Sequence, residues 1–152
     1  MSSVIDFLIT CGPAGMFLSA FWAGSVLPMS SEAVLLALLE TGLPPVTLLL
    51  CATAGNVLGG LVNYGLGSLG KEEWITRYAK VPPEKMQRGM RYVTRYGAWA
   101  GLLAWLPVLG SIITVAMGFG RTNLPLSVCT IALGKYLRYQ IIVSTWLAAT
   151  SP

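Results

Sequence analysis

The six residues LPMSSE at positions 27–32 divide the first apolar part of the chain into two runs. The run before them begins at Phe7, and the run after them, 33–39, is seven residues long and ends in a polar turn before Pro44. A membrane-spanning helix needs about 20 apolar residues, and 10–14 indicate a re-entrant segment instead. The sequence therefore predicts that residues 14–42 form a helical hairpin that enters the bilayer and returns to the same side, with Pro28 at its tip.

A similar break occurs in the second half of the chain. The residues LPVLGS at 106–111 again separate two short apolar runs, and GRTNLP at 120–125 ends the second run. This pattern predicts a second re-entrant hairpin over 98–120, with Pro107 at its tip. A longer apolar segment follows each hairpin, over 46–69 and 125–149, and at about 1.5 Å per residue each is long enough to span a bilayer.

Composition supports a membrane location for the whole chain. Of its 152 residues 55% are hydrophobic and 11% are charged, where a soluble domain carries about 25% charged residues. Uncharged stretches of 25, 30 and 25 residues follow Asp6, Glu40 and Arg95. A soluble fold needs polar residues at helical or strand spacing on its solvent faces. The composition therefore excludes a soluble globular domain, a disordered chain and a nucleic-acid binder.

The segment 71–96 between the two halves is strongly basic. Residues 71–95 hold seven of the ten Lys and Arg and three of the six acids, a net charge of +4. Pro83 and Gly97 are typical helix start and stop residues. Met86 and Met90 lie on one face of this helix, and the arginines lie on another. We expect an amphipathic interfacial helix whose cationic face meets lipid headgroups, on the cytoplasmic side by the positive-inside rule.

The predicted architecture is an all-α integral membrane protein in which residues 1–152 form one membrane domain. Two re-entrant hairpins and two transmembrane helices form an inverted repeat, joined by the basic interfacial helix. Inverted repeats with broken helices are a transporter architecture, with the site near the midplane. Four complete spans remain an alternative, because 7–27 is just long enough to cross.

Enzymatic chemistry is not expected. The chain has no His, which removes Ser-His-Asp and Cys-His nucleophiles and histidine metal sites. Its three cysteines are single and far apart, so neither a CxxC pair nor a cysteine metal cluster is present. We therefore predict no catalytic residues, no metal and no cofactor.

Three charged residues are predicted to lie at membrane depth. Glu32 follows the first hairpin tip, and Lys135 and Arg138 lie on one face in the middle of the last helix. An unpaired charge at that depth costs at least about 2.5–3.5 kcal/mol. One carboxylate and two bases leave a net positive site for an anion such as a lipid phosphate. The alternative is that Glu32 only neutralises one of the bases.

Several uncharged residues are candidates to complete this site. Ser31, Asn56 and Ser111 lie in apolar surroundings and are able to hydrogen-bond a headgroup, although a helix–helix contact explains each one alone. Trp105 precedes the second tip. It serves either packing or a hydrophobic wall for an acyl or isoprenoid chain.

In these residues the chain resembles the DedA superfamily, also called SNARE-associated Golgi or VTT-domain proteins, and is most similar to its short YqaA-like branch. The matching segments run from 17 to 139 in the family's order: FLSA (17–20), LP (27–28) with SE (31–32), ATAGNVLGGLVN (52–63), RYG (95–97), WLPVLG (105–110) and LGKYLRY (133–139).

The resemblance implies two re-entrant hairpins that face each other. It also implies a role in moving lipids across membranes, such as the transport of undecaprenyl phosphate or the scrambling of phospholipids. Three departures from the family pattern stand out: 105–111 lacks the arginines found near the second proline, Ser111 stands where the YqaA-like pattern has Asp, and Gly59-Gly60 stands where the wider family favours an acid. If such acids couple transport to protons, Glu32 is the candidate left in this chain.

The function we predict is translocation or scrambling of an anionic phospholipid in the bacterial inner membrane by a multi-pass protein. We expect membrane lipids as partners, first an anionic or polyprenyl phosphate lipid, with protons and a second copy of the chain as further candidates and no nucleic acid. Two alternatives stay open. One is a proton-coupled exporter of lipophilic cations, with Glu32 in an aromatic cage of Trp22 and Trp105; the other is a non-transport membrane assembly factor.

Overall fold

The fold is built from helices alone in the parts of the chain that the computed structural model describes, residues 2–24, 31–70, 82–106 and 109–151. The predicted tips Pro28 and Pro107 and the linker residues 71–81 lie outside these ranges. The elements are α1 (Ser2–Thr10), α2 (Pro13–Gly24), α3 (Ser31–Glu40), α4 (Pro45–Ser68), α5 (Pro83–Tyr96), a 3₁₀-helix (Gly97–Trp105), α6 (Leu109–Phe119) and α7 (Leu124–Thr150).

Prolines and caps fix the helix starts. Pro45 and Pro83 are the first residues of α4 and α5, positions where the missing proline N–H costs nothing. The side chain of Asn123 caps α7 by accepting a hydrogen bond of 3.1 Å from the Leu126 N–H. Gly97 ends α5 with φ +59°, a left-handed conformation that favours glycine.

The long helices α4 and α7 run antiparallel. Near the end of α4, the Tyr64 hydroxyl donates a hydrogen bond of 2.5 Å to the Thr122 carbonyl, just before α7 begins. At the other end of the pair, Leu48 of α4 and Val143 of α7 belong to one core cluster. The two halves of the chain therefore run in opposite directions, the relation that an inverted repeat requires.

The first hairpin lies against the first half of α4 and the second half of α7. Its outer ends meet beside the start of α4, where a Cβ on Gly12 would lie 3.9 Å from Leu43 Cδ1. Its inner ends lie deeper: the Gly24 carbonyl accepts a 3.0 Å hydrogen bond from Asn63 Nδ2, and the Ser31 hydroxyl lies 2.8 Å from that of Tyr139. The first limb therefore starts, and the second limb finishes, at the same end of α4, as in a re-entrant hairpin. Re-entry into the membrane itself stays a prediction.

The second hairpin has the same relation to α7. Thr130 Oγ1 donates a hydrogen bond of 2.7 Å to the Ala98 carbonyl at its outer end. Its first limb is a 3₁₀-helix, which the sequence analysis did not predict. Ala98, Gly101 and Ala104 are all buried, and residues three apart lie on one face of a 3₁₀-helix. A row of small residues thus faces α7, where a Cβ on Gly101 would lie 2.1 Å from Thr130 Oγ1.

Helix α5 covers the second hairpin with its apolar face. Met86, Met90 and Val93 pack in or against the core cluster that contains Ile113 and Ala116 of α6. The apolar face is thus used inside the protein, and the basic side chains of α5 are exposed.

One helix of the described residues, Pro45–Ser68, is both long and apolar enough to cross a membrane, with a mean hydropathy of 1.7 over its best window. Its 24 residues extend about 36 Å. Both long helices also expose large apolar side chains, Leu50 and Leu58 on α4 and Leu137 and Ile141 on α7. Such surface suits lipid. A second span over α7 stays a prediction.

Candidate functional site

The two bases of the last helix lie at its centre. Lys135 and Arg138 flank Leu137, the midpoint of α7, and Asn56 lies at the midpoint of α4. Because α4 and α7 run antiparallel, these midpoints lie side by side. Lys135 is buried, with 4% of its surface exposed. The charged part of the last helix therefore meets the polar part of α4 inside the protein.

Arg138 forms an ion pair with Glu32 of α3. The pair connects the first hairpin with the last helix across the seam between α3 and α7. The two side chains remain 24% and 30% exposed. Both side chains therefore reach the surface of the seam, unlike Lys135, although the paired Oε1 atom of Glu32 is itself buried.

A buried chain of hydrogen bonds lies beside the ion pair. The Lys135 ammonium donates to Asn56 Oδ1, and Asn56 Nδ2 donates to the Tyr139 hydroxyl over 2.6 Å. The Tyr139 hydroxyl lies 2.8 Å from the Ser31 hydroxyl. Side chains of α3, α4 and α7 are joined in this way, and Tyr139 is completely buried.

The Lys135 ammonium has no carboxylate within salt-bridge distance among the described residues. A Cβ added to Gly60 would lie 3.1 Å from Lys135 Cε. Gly60 is one of the two positions at which the sequence analysis noted a missing acid. Because glycine has no side chain, the Lys135 stem fits against α4. No Asp or Glu of α4 balances the Lys135 charge.

Five predicted site residues are brought together by the fold: Ser31, Glu32, Asn56, Lys135 and Arg138. The other two described candidates lie elsewhere. Ser111 is half-buried in α6, where its carbonyl accepts a 2.7 Å hydrogen bond from Thr114 Oγ1. Trp105 ends the 3₁₀-helix with 45% of its surface exposed. Neither makes a described contact with the five.

Sequence reasoning missed Tyr139 as a member of the site. It lies four residues after Lys135, at the end of the LGKYLRY segment, and was not among the predicted site residues. A tyrosine in an apolar helix is also typical of interfacial anchoring. The useful signal was its spacing from Lys135, which puts both side chains on the helix face that carries the site.

The site is suited to an anion rather than to a metal. No group of three His, Cys, Asp or Glu side chains within the described ranges could hold a metal ion. Two cations and one carboxylate leave a local charge of about +1. The guanidinium of Arg138 can bind two oxygens of one phosphate, which a lysine ammonium cannot do in the same geometry.

Comparison with known proteins finds relatives that cover most of the chain. The chain is 37% identical to an uncharacterized protein of Haemophilus influenzae over 138 residues, 84% of this chain and 83% of the relative. It is 35% identical to the inner membrane protein YqaA of Escherichia coli, over 85% of this chain and 87% of the relative. The second relationship supports the bacterial inner membrane as its location. No solved structure matches the chain.

The family match covers the second limb of the first hairpin, the second hairpin, α4 and most of α7. The family model of the VTT domain matches residues 27–146, from the predicted first tip to the last turns of α7. All five residues that the fold brings together lie within this range. On this match and on the relatives above, the chain belongs to the VTT-domain (DedA) family of membrane proteins.

Proposed function

We propose that this protein translocates or scrambles an anionic phospholipid across the bacterial inner membrane. The observation that carries the proposal is the partly exposed ion pair of Glu32 and Arg138 beside the buried Lys135. Charges at the centre of membrane helices are costly and commonly mark a substrate or ion pathway. Here they lie at the seam between two helices, within reach of a headgroup.

The phosphate of the lipid would bind by exchange with Glu32. Arg138 is paired with the carboxylate while the site is empty, and the phosphate replaces it as a bidentate acceptor. Lys135 stays in place, held by Asn56, and adds a second positive charge that favours the anion. The exchange leaves Glu32 without its partner, and uptake of a proton by this carboxylate would complete it.

The acyl or isoprenoid chain would stay in the lipid throughout. The outward faces of α4 and α7 carry large exposed apolar side chains, including Leu50 and Ile141. A headgroup that moves along the seam between α3 and α7 is therefore beside the tails of neighbouring lipids. In this proposal both hairpins are re-entrant, α7 is the second span, and the linker 71–96 is cytoplasmic.

An exporter of lipophilic cations is less well supported by the same geometry. Arg138 already neutralises Glu32, and Lys135 adds a further positive charge nearby. A cationic substrate would be repelled by both. Trp105, one wall of the predicted aromatic cage, makes no described contact with Glu32.

The test is lipid movement in liposomes that contain the purified full-length chain. A fluorescent anionic phospholipid is placed in both leaflets, and the fraction that becomes accessible to a membrane-impermeant quencher is measured. We expect Arg138→Ala, which removes the phosphate ligand, and Glu32→Gln, which removes the carboxylate that displaces the phosphate again, each to reduce the rate at least about tenfold, the effect of about 1.4 kcal/mol at the rate-limiting barrier.

The matched control is Glu40→Gln. Glu40 is the other acid of α3, exposed at the outer end of the same helix, so the variant makes the same chemical change away from the site. Its rate should equal that of the unmodified chain. Unchanged lipid movement in both Arg138→Ala and Glu32→Gln would exclude the proposal.

A further inference from the structure

A second cluster of positive charge lies on α5 and in the turn after α6, away from the ion pair of α3 and α7. Lys85, Arg88, Arg91 and Arg95 of α5 are all exposed. At about 100° per residue these four side chains fall within roughly 120° of the helix circumference. They form one face, opposite the face that packs on α6.

The structure adds a fifth cation that the sequence did not connect with this helix. Arg121 is exposed in the turn after α6. Its neighbour Gly120 packs against α5, because a Cβ there would lie 3.1 Å from Val93 Cγ1 and 3.6 Å from Met90 Cε. We call these five cations, Lys85, Arg88, Arg91, Arg95 and Arg121, the basic face. None of them has a carboxylate within salt-bridge distance among the described residues.

Contacts along α4 fix the depth of the basic face. A Cβ on Gly118 would lie 1.9 Å from the Tyr64 carbonyl oxygen, so the end of α6 lies beside the last turns of α4. Gly89, in the middle of α5, packs against Ile112 and Ala116 of α6. The basic face is therefore level with the end of the helix that is able to span the membrane. That is the depth at which hydrocarbon gives way to headgroups.

Aromatic side chains at the same end agree with this depth. The Arg95 guanidinium lies 5.5 Å from the centroid of the Tyr96 ring. Tyr96 and Trp99 follow at the end of α5 and in the 3₁₀-helix, and both are exposed. Aromatic side chains of this kind are enriched where headgroups meet the hydrocarbon.

We propose that the basic face binds the anionic headgroups of phospholipids in the adjacent leaflet. The occupant follows from charge and position: five exposed cations, with no carboxylate partner among the residues that the structure describes, lie at headgroup depth. The apolar side of α5 is already covered by α6, so hydrophobic insertion of this helix does not explain its exposure. The surface holds lipids next to the protein, and it is separate from the ion pair at the centre of α7.

The test measures lipid association and not transport, and the variants of the basic face leave Arg138 and Lys135 unchanged, so their effect is distinguishable from that of the proposed function. The full-length chain is reconstituted in phosphatidylcholine vesicles with a trace of spin-labelled phosphatidylglycerol or spin-labelled phosphatidylcholine. The motionally restricted fraction in the electron spin resonance spectrum gives the relative affinity. We expect phosphatidylglycerol to be preferred by about fivefold or more, the effect of one cation at this depth.

Neutralising most of the basic face should weaken the preference. In Arg88→Gln/Arg91→Gln/Arg121→Gln, with Lys85 and Arg95 still in place, the ratio should fall at least about twofold, and in Arg88→Lys/Arg91→Lys/Arg121→Lys it should persist, since charge is kept. Gln87→Ala, an exposed uncharged position on the same helix, is the control and should match the unmodified chain.

Salt gives a second measurement that needs no variant. At 1 M salt the Debye length is about 3 Å, and the preference of the unmodified chain should fall at least twofold. A ratio near 1 in the unmodified chain at low salt would overturn the proposal. So would a ratio that the three glutamines leave unchanged, because the anionic lipid would then bind elsewhere on the protein, and the basic face would be left for another occupant, such as an acidic soluble protein.

Discussion

The ion pair of Glu32 and Arg138 can be measured by a double-mutant cycle. The variants are Glu32→Gln, Arg138→Gln and the two together. Each single change leaves one charge without its partner in the centre of an apolar protein, whereas the double change removes both charges. The coupling free energy between the two positions is the difference between the double variant and the sum of the single ones.

The size of the coupling follows from the exposure of the pair. Fully exposed pairs contribute about 0–1 kcal/mol, and breaking a buried pair costs about 3–5 kcal/mol. The side chains here are 24% and 30% exposed, which places the pair between these limits. We expect each single variant to lose about 2–3 kcal/mol of unfolding free energy, in line with the cost of a lone charge at membrane depth. The coupling should be about 2 kcal/mol.

The assay is unfolding in mixed micelles with an increasing fraction of denaturing detergent, followed by tryptophan fluorescence. Glu40→Gln serves as the reference for loss of an exposed acid on α3 and should change the unfolding free energy by less than about 0.5 kcal/mol. A coupling below about 0.5 kcal/mol would refute the reasoning. It would mean that the two charges do not depend on each other.

Three further predictions concern the frame around the pair. Gly67→Ala should cost about 1–3 kcal/mol of unfolding free energy, because its Cβ would lie 2.0 Å from the Val115 carbonyl oxygen, whereas Gly65→Ala, with nothing within 4 Å, should be neutral or stabilising in the same detergent titration. Tyr139→Phe should cost about 1–3 kcal/mol in that titration, since it removes the hydroxyl that joins Ser31 to Asn56; a loss below about 0.5 kcal/mol would contradict it. Cysteines introduced next to Pro28 and Pro107 should react with a membrane-impermeant thiol reagent from opposite sides of the bilayer in a chain whose native cysteines are replaced; reaction of both from one side would contradict the inverted hairpins.

Much of the helical order could be predicted from the sequence because prolines and glycines mark it. Pro45 and Pro83 begin helices, and Gly97 ends one. These residues act through their own backbone, so their effect is local and can be recognised without a partner. The 3₁₀-helix was not predicted, because its cause lies in α7: the row of small residues meets Thr130, a contact that only the folded chain contains.

The candidate site also has a part that the sequence predicts and a part that only the folded chain determines. Membrane depth could be estimated by counting residues along each helix, and this placed Glu32 with Lys135 and Arg138. Counting cannot say which base the carboxylate meets. The choice depends on the rotation of α7 about its axis, which places Arg138 beside Glu32 and Lys135 beside Asn56. Tyr139 became part of the site for the same reason.

The first hairpin is held in the protein by two kinds of contact, and this bears on how a headgroup could pass. Its first limb approaches α4 at backbone distance, since a Cβ on Gly55 would lie 2.2 Å from the Phe17 carbonyl oxygen, as the second hairpin does at Gly118, where a Cβ would lie 1.9 Å from the Tyr64 carbonyl oxygen. At its inner end, α3 is joined to α7 by polar side chains, through Glu32 and Ser31. A phosphate can take the place of the carboxylate in an ion pair, whereas a close backbone contact cannot open without leaving a void. For the proposed function, the seam between α3 and α7 is therefore the one that opens, and the second hairpin with α4 is the fixed part against which it moves.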